Sequence, residues 1–222
     1  MKNFDTLKTI SEKTFENTPI YTSIINTCLA WLEKPLFEYL RKLGLKIVVQ
    51  DSSHKINKEE KLFACADYNK FEITVYINKN YIKENKHSYI KQLPEAIFHE
   101  IGHIYFCILI DKCKENEELK KDIQDFCMNT DTEGGCTLFA HNYVKENYGK
   151  KLRAEGKHLI NNIDIKYHEN FAEFFQMYHM FQLDKNLSKQ PVETDISTVL
   201  SSKAIKTKEI YEKLYLYSRT WI

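Results

Sequence analysis

The run Ile97-Phe98-His99-Glu100-Ile101-Gly102-His103-Ile104-Tyr105-Phe106-Cys107-Ile108-Leu109-Ile110 constrains the fold more than any other part of this chain. Ile97, Ile101, Ile104 and Ile108 recur at helical spacing, while Phe98, Phe106 and Leu109 make the other sides apolar as well, so the segment reads as a buried helix. It is shorter than the roughly 20 residues needed to span a bilayer, which argues for a core helix over a membrane anchor. Yet it carries two His and a Glu. Burying those side chains without partners costs on the order of several kcal/mol, and a bound metal is the simplest way to avoid that cost. Gly102 additionally permits another backbone to approach closely.

Around this run the apolar pattern switches between two periods. From Tyr21 to Leu43, residues such as Ile24, Ile25, Cys28, Leu29, Trp31 and Leu32 follow helical spacing; Pro35 kinks or divides the segment and Gly44 ends it. Leu45 to Gln50 is short and β-branched, and Phe71 to Ile77 alternates so that Phe71, Ile73, Val75 and Ile77 share a face, so both read as strands. Asp51 to Leu62 is charged and loop-like, and Asp67-Tyr68-Asn69-Lys70 has turn chemistry. Pro94 stands at a favourable first-turn position for a helix running toward Ile110. Asp111 to Asp125 is highly charged and Asn129 to Cys136, with Gly134-Gly135, is loop-forming, so 111–166 reads as an insertion with a helix in it. A second apolar helix covers about His168 to Phe181, and an amphipathic helix follows near Ile205 to Trp221.

These elements predict one α+β domain over 1–222, mostly helical, with a small twisted mixed sheet beside the central helix. Its parts are N-terminal helices in 1–44, the sheet and central helix in 45–110, the insertion in 111–166 and two helices in 167–222. Lys and Arg number 32 against 31 Asp and Glu, so the chain lacks the global field of a protein that grips nucleic acid or anionic lipid, and neither is expected as a partner. Met1 to Thr6 has no basic n-region with an apolar h-region, making a cytoplasmic location the default expectation, with non-classical delivery to another cell as the alternative. The 6 Cys include no C-x-x-C pair and are expected as free thiols. The rival is one or two disulfides among Cys107, Cys113, Cys127 and Cys136.

His99 and His103 are four apart, so on a helix they project from one face a turn apart and can both turn imidazole nitrogens toward one metal. Glu100 comes round beside them, where it can take a proton from water. That is the H-E-x-x-H arrangement of zinc peptidases, and the bland alternative is a pair of hydrogen-bonded core histidines. For the third ligand, Tyr167-His168-Glu169-Asn170-Phe171-Ala172-Glu173-Phe174-Phe175 again sets two acids four apart. Facing inward, Glu169 would ligate zinc and Glu173 would orient a ligating His from behind; facing outward, both would be part of a solvated polar face. His168 competes for the third position, although its side chain would point about 100° away from Glu169.

With these residues the chain resembles the gluzincin metallopeptidases, in particular the branch that includes the catalytic domain of anthrax lethal factor and the Pro-Pro endopeptidases. Members carry H-E-x-x-H followed by a helix like E-D-F-A-E-x-F, matched here by His99, Glu100 and His103, then Glu169, Phe171, Ala172, Glu173 and Phe175, with Asn170 in place of the Asp. The resemblance implies a zincin-like fold, zinc held by His99, His103 and Glu169, Glu100 as general base, and Glu173 behind a ligand. It extends weakly over Ala66-Asp67-Tyr68 through Ile77-Asn78 and the N-terminal helices, about half of the chain. In that family the strand beside the motif helix is an edge that takes up substrate as an added strand, a role the resemblance assigns to the region of Phe71 to Ile77.

Two features depart from the pattern. The segment between His103 and Glu169 is longer, and Asn162 stands where the family has a Tyr that donates to the oxyanion. Tyr167, Tyr143 and Tyr148 are the candidates for that donor, whose loss can cost about 100 to 1,000 fold in rate. The leading expectation is a zinc-dependent endopeptidase acting on a peptide or protein substrate, as a delivered toxin or effector or within its own cell. The alternative is a catalytically silent binding or regulatory protein that retains the metal.

Overall fold

The computed structural model describes residues 9–11, 18–51, 63–77, 79–133, 165–187 and 205–221, with side chains over 21–50, 63–77, 89–131, 166–180 and 206–221. Within them the chain is α+β and mostly helical. Helix α1 (Thr18–Ala30) and helix α2 (Lys34–Lys42) are divided where Pro35 pre-sets the first turn of α2. Gly44, at φ 80°, supplies the left-handed residue that lets the chain leave α2 and enter strand β2 (Lys46–Asp51).

A mixed sheet has the order β1-β2-β4-β3, formed by β1 (Thr9–Ser11), β2, β3 (Ala64–Asp67) and β4 (Glu72–Ile77). β1 and β4 both run parallel to β2, whereas β3 pairs antiparallel with β4, Cys65 opposite Thr74 and Ala66 opposite Ile73. The expected alternation holds, with Ile73, Val75 and Ile77 buried on one face together with Ile47 and Val49. In the β3–β4 turn, Asp67 Oδ1 accepts from the Lys70 N–H at 3.2 Å and Phe71 takes φ 50°. β4 is therefore interior, and among the described strands β1 and β3 are the edges, β3 being the one beside β4. This corrects the assignment of the edge to Phe71–Ile77, and the reason is that hairpin pairing to β3 satisfies the outer side of β4.

Helix α3 (Lys79–Lys112) is longer than expected, and Pro94 lies inside it instead of opening it. Proline removes one backbone donor and the helix continues past it, with Tyr89 and Leu93 already buried on the N-terminal side. Helix α4 (Glu117–Glu133) fills the start of the insertion and carries Asn129–Glu133 as helix where a loop was expected. Helix α5 (Ile165–Leu187) and helix α6 (Ile205–Leu216), which ends in the 3-10 turn Tyr217–Thr220, follow.

One apolar cluster joins α1, α2, the sheet and the described helices that follow it, from Tyr21 to Tyr215. α3 runs through its centre, with Ile97, Phe98, Ile101, Ile104, Tyr105 and Phe106 fully buried. Among the described residues α3 is the one helix long and apolar enough to cross a membrane, within Tyr89–Glu115, and 67% of the most apolar 18-residue stretch there is buried inside the fold. α6 is tied down near its C-terminal end. The buried Tyr105 hydroxyl meets the Leu214 and Tyr215 carbonyls at 3.0 and 2.9 Å, and Lys213 reaches Asp122 of α4 at 2.8 Å.

Candidate metal centre

α3 and α5 cross at Gly102. A Cβ there would lie 2.8 Å from Ala172 Cα and 2.9 Å from Phe175 Cβ, so only glycine lets the two backbones come this close. The crossing carries Glu169 and Glu173, one turn apart on α5, over the face of α3 that displays His99 and His103. The aromatic side of α5, Phe171, Phe174 and Phe175, packs into the core and leaves the acidic face toward the imidazoles.

The donors converge. His103 Nε2 is 3.0 Å from His99 Nε2, His99 Nε2 is 3.2 Å from Glu169 Oε2, and His103 Nε2 is 3.6 Å from Glu169 Oε1. Ligands at the usual 2.0–2.1 Å from a tetrahedral zinc stand about 3.3 Å apart, so the two nitrogens and the carboxylate group are spaced as ligands of one such ion are. Two Nε2 atoms facing each other can share only one proton, and a cation between them satisfies both lone pairs and the carboxylate at once. Among the described residues this is the one group of three or more His, Cys, Asp or Glu whose ligand atoms all lie within 4.8 Å of one another. A metal ion can be held there.

Two further carboxyls frame the group. Glu173 Oε1 lies 3.8 Å from His99 Nδ1, on the far side of the ring from the cluster, where it favours the tautomer that leaves Nε2 free for a metal. Glu100 turns instead toward the sheet, its Oε2 accepting the Ala66 N–H of the edge strand at 2.7 Å. Sequence reasoning missed that partner, because a backbone donor leaves no side-chain signature.

Electrostatics separates the roles. Burial pushes the His103 imidazole down to about 3, keeping it in the neutral form a metal requires. Burial also pulls on His99, but the bond to Glu169 and the charges of Glu100 and Glu173 outweigh it and hold His99 above its usual range. Glu169 sits below the ordinary carboxylate range, since His103 and His99 more than offset its burial. Glu100 goes the other way: burial drives it up to about 7, with Glu169 adding and His99 and the Ala66 N–H opposing. One carboxyl is thus held ionised beside the imidazoles and another is poised near neutrality.

The remaining candidates separate cleanly. His168 stays out of the cluster, its Nδ1 3.9 Å from Cys107 Sγ and its ring edge-on to Phe106, so Glu169 is the acid or imidazole that joins the two His. Tyr167 lies about 200° round α5 from Glu169, and its hydroxyl donates to Asp131 at 2.6 Å, which removes it from the oxyanion candidates. Tyr143, Tyr148 and Asn162 lie outside the described residues. Cys28, Cys65, Cys107 and Cys113 are free thiols, and Cys136 lies outside the described residues. No protein-family model, curated protein or solved structure matches this chain.

Proposed function

We propose that the chain is a zinc-dependent endopeptidase of the gluzincin kind that hydrolyses peptide bonds in a peptide or protein substrate. The observation that carries this reading is the convergence of His99, His103 and Glu169 with a separate carboxyl, Glu100, beside them. The donors fit the group the reading requires: two neutral nitrogens and a carboxylate oxygen suit zinc, and they leave a coordination position without a protein ligand among the described residues. Zinc bound there would polarise a substrate carbonyl and lower the pKa of water. Glu100, near neutrality, would take the proton from the attacking water and hand it to the leaving amine. Ala66 would hold that carboxyl in place through its N–H, and Glu173 would keep His99 turned toward the metal. An extended peptide laid against the part of the β3 edge that Glu100 does not engage would gain main-chain hydrogen bonds without a demand on its sequence.

The same two-His, one-carboxylate donor set also serves non-haem iron, so metal identity is part of the test. A carboxyl poised near neutrality beside the donors favours hydrolysis. The second reading, a protein that keeps the metal without cleaving, draws support from Tyr167, whose hydroxyl is committed to Asp131 and not turned to the site.

The deciding experiment is metal analysis joined to peptide-library cleavage, with wild type beside Glu100→Gln. Zinc in both proteins and cleavage by wild type alone is the expected outcome. Equal turnover by both removes Glu100 from the chemistry, and zinc with no cleavage by wild type across the library favours the second reading.

A further inference from the structure

The described residues of the insertion between His103 and Glu169 contribute no donor to the metal cluster, yet its helix α4 ends against the helix that does. Thr130 Oγ1, in the last turns of α4, accepts from Asn170 Nδ2 at 2.8 Å, and both residues are buried. The next residue, Asp131, accepts from Lys166 Nζ and from the Tyr167 hydroxyl, each at 2.6 Å. The Lys166 ammonium also stands 4.7 Å from the centre of the Tyr167 ring. Two adjacent residues of α4 therefore hold side chains of α5 that lie on either side of Glu169 in sequence.

What these contacts supply is direction. The close approach of Gly102 to Ala172 sets how near α5 lies to α3. The rest of the α5 interface is largely aromatic, with Phe171, Phe174 and Phe175 against neighbouring rings, and such packing tolerates a roll of the helix far better than a hydrogen bond does. Rolling α5 by about 20° would move a carboxylate some 5–6 Å off its axis by about 2 Å. Metal coordination tolerates about 0.2 Å. Something must fix the roll, and beyond the contacts of the donor group itself the hydrogen bonds made by Thr130 and Asp131 flank Glu169 on α5.

We propose that Thr130 and Asp131, acting through Asn170, Lys166 and Tyr167, are positioning residues that set the rotation of α5 and with it the metal affinity of the Glu169 site. The inference rests on the metal-site reading given above and deepens it, assigning the start of the insertion a role in building the centre. Thr130 is the stronger half, because its hydrogen bond is buried while the Asp131 contacts are half-exposed and screened by solvent.

The test uses the full chain and two readouts besides thermal stability: zinc affinity by chelator competition, and the visible spectrum of the cobalt-substituted protein, which reports ligand geometry. Thr130→Val keeps the shape and removes the hydroxyl; acting one residue removed from a ligand, it should weaken zinc by up to about 10 fold, below the about 10 to 100 fold of a direct partner of a ligand, and alter the cobalt bands. Thr130→Ser should restore both. Asp131→Ala, at a half-exposed position that folding tolerates, should weaken zinc by about 3 fold or more, in line with a screened contact. Wild-type affinity and spectrum in Thr130→Val, or a loss that Thr130→Ser does not restore, overturns the proposal, whatever the melting temperature does. If Thr130→Val does not fold, unchanged affinity in Asp131→Ala overturns it instead. Wild type that binds no more zinc than His99→Ala defeats the metal reading itself and this inference with it, whereas zinc-binding wild type with unaltered variants defeats this inference alone.

Discussion

The Cα of Ala172 lies 2.8 Å from where a Cβ on Gly102 would stand, so the helix carrying Glu169 touches the helix carrying His99 and His103 backbone to backbone. Both atoms in that contact belong to long, packed helices, and neither can turn aside as a side-chain tip would. Gly102→Ala gains about 1 kcal/mol in helix propensity but forces the crossing apart, an overpacking that costs about 1–3 kcal/mol or more. The expected net result is a less stable protein with weaker zinc binding. Chemical denaturation and zinc titration of the variant check this, and unchanged values in both would mean that α5 yields freely at the crossing.

Zinc should stabilise the fold, because the three donors belong to two helices far apart in sequence and meet only in the folded chain. At free zinc 100 times the dissociation constant the gain is about 2.7 kcal/mol. Thermal melts with zinc and with a chelator should therefore differ by several degrees in wild type and coincide in His99→Ala and in Glu169→Ala. A zinc-dependent shift that survives in Glu169→Ala would remove Glu169 from the ligand set. Glu173→Ala should keep the shift but need about 10 to 100 fold more zinc to reach it, since it removes only the group behind His99.

His179 makes acid destabilising. Its imidazole is 1% exposed, stacked on Phe98 at 5.0 Å, and neither ring nitrogen has a hydrogen-bond partner among the described residues. Burial pushes it down to about 3, against about 6.5 for an unfolded His. Between those values the unfolded chain takes up a proton that the folded one refuses. Stability from this group is therefore complete above the unfolded pKa and falls by about 1.4 kcal/mol per pH unit as pH drops toward the folded value. His179→Phe removes this group's share of the slope, while that of His103 remains in both proteins. Comparing unfolding free energies at pH 7 and pH 5, wild type should lose about 2 kcal/mol more than the variant; equal losses would show that His179 does not remain neutral in the folded state.

The parts of this architecture that could be read in advance are those written in local periodicity. Ile97 to Ile110 announced a buried helix, and Glu169 with Glu173 announced a second face four residues apart, so the His99, His103 and Glu169 grouping needed only that the two helices meet. Long-range pairing hid the rest. β3 reads Ala-Cys-Ala-Asp, without the β-branched alternation that marked β4, so the free edge was assigned to the wrong strand. The start of α3 was hidden because Pro94 looks like a first-turn residue whether a helix begins there or passes through it. Tyr167 seemed available by its nearness in sequence to Glu169, but two residues on a helix is about 200°, which turns it to Asp131. The Thr130–Asn170 bond links positions forty apart and has no local signature.

The Ala66 N–H offers a way to perturb Glu100 without touching His99, His103 or Glu169. It points to Glu100 and away from β4, so Ala66→Pro deletes the 2.7 Å hydrogen bond while leaving the β3–β4 ladder its donors, and proline is tolerated on an edge strand in that orientation. A donor to an ionised carboxylate lowers its pKa, so losing it should move Glu100 upward from about 7. If Glu100 acts as a base it must be ionised, and the acid limb of the pH–rate profile should then shift to higher pH in the variant. Zinc affinity should stay near the wild-type value, because no ligand contact is removed. Measuring peptide cleavage from pH 5 to 9 beside zinc affinity separates the two effects. An unshifted acid limb with unchanged zinc binding would mean that the ionisation governing the rate belongs to some group other than Glu100, and the base would have to be sought elsewhere in the site.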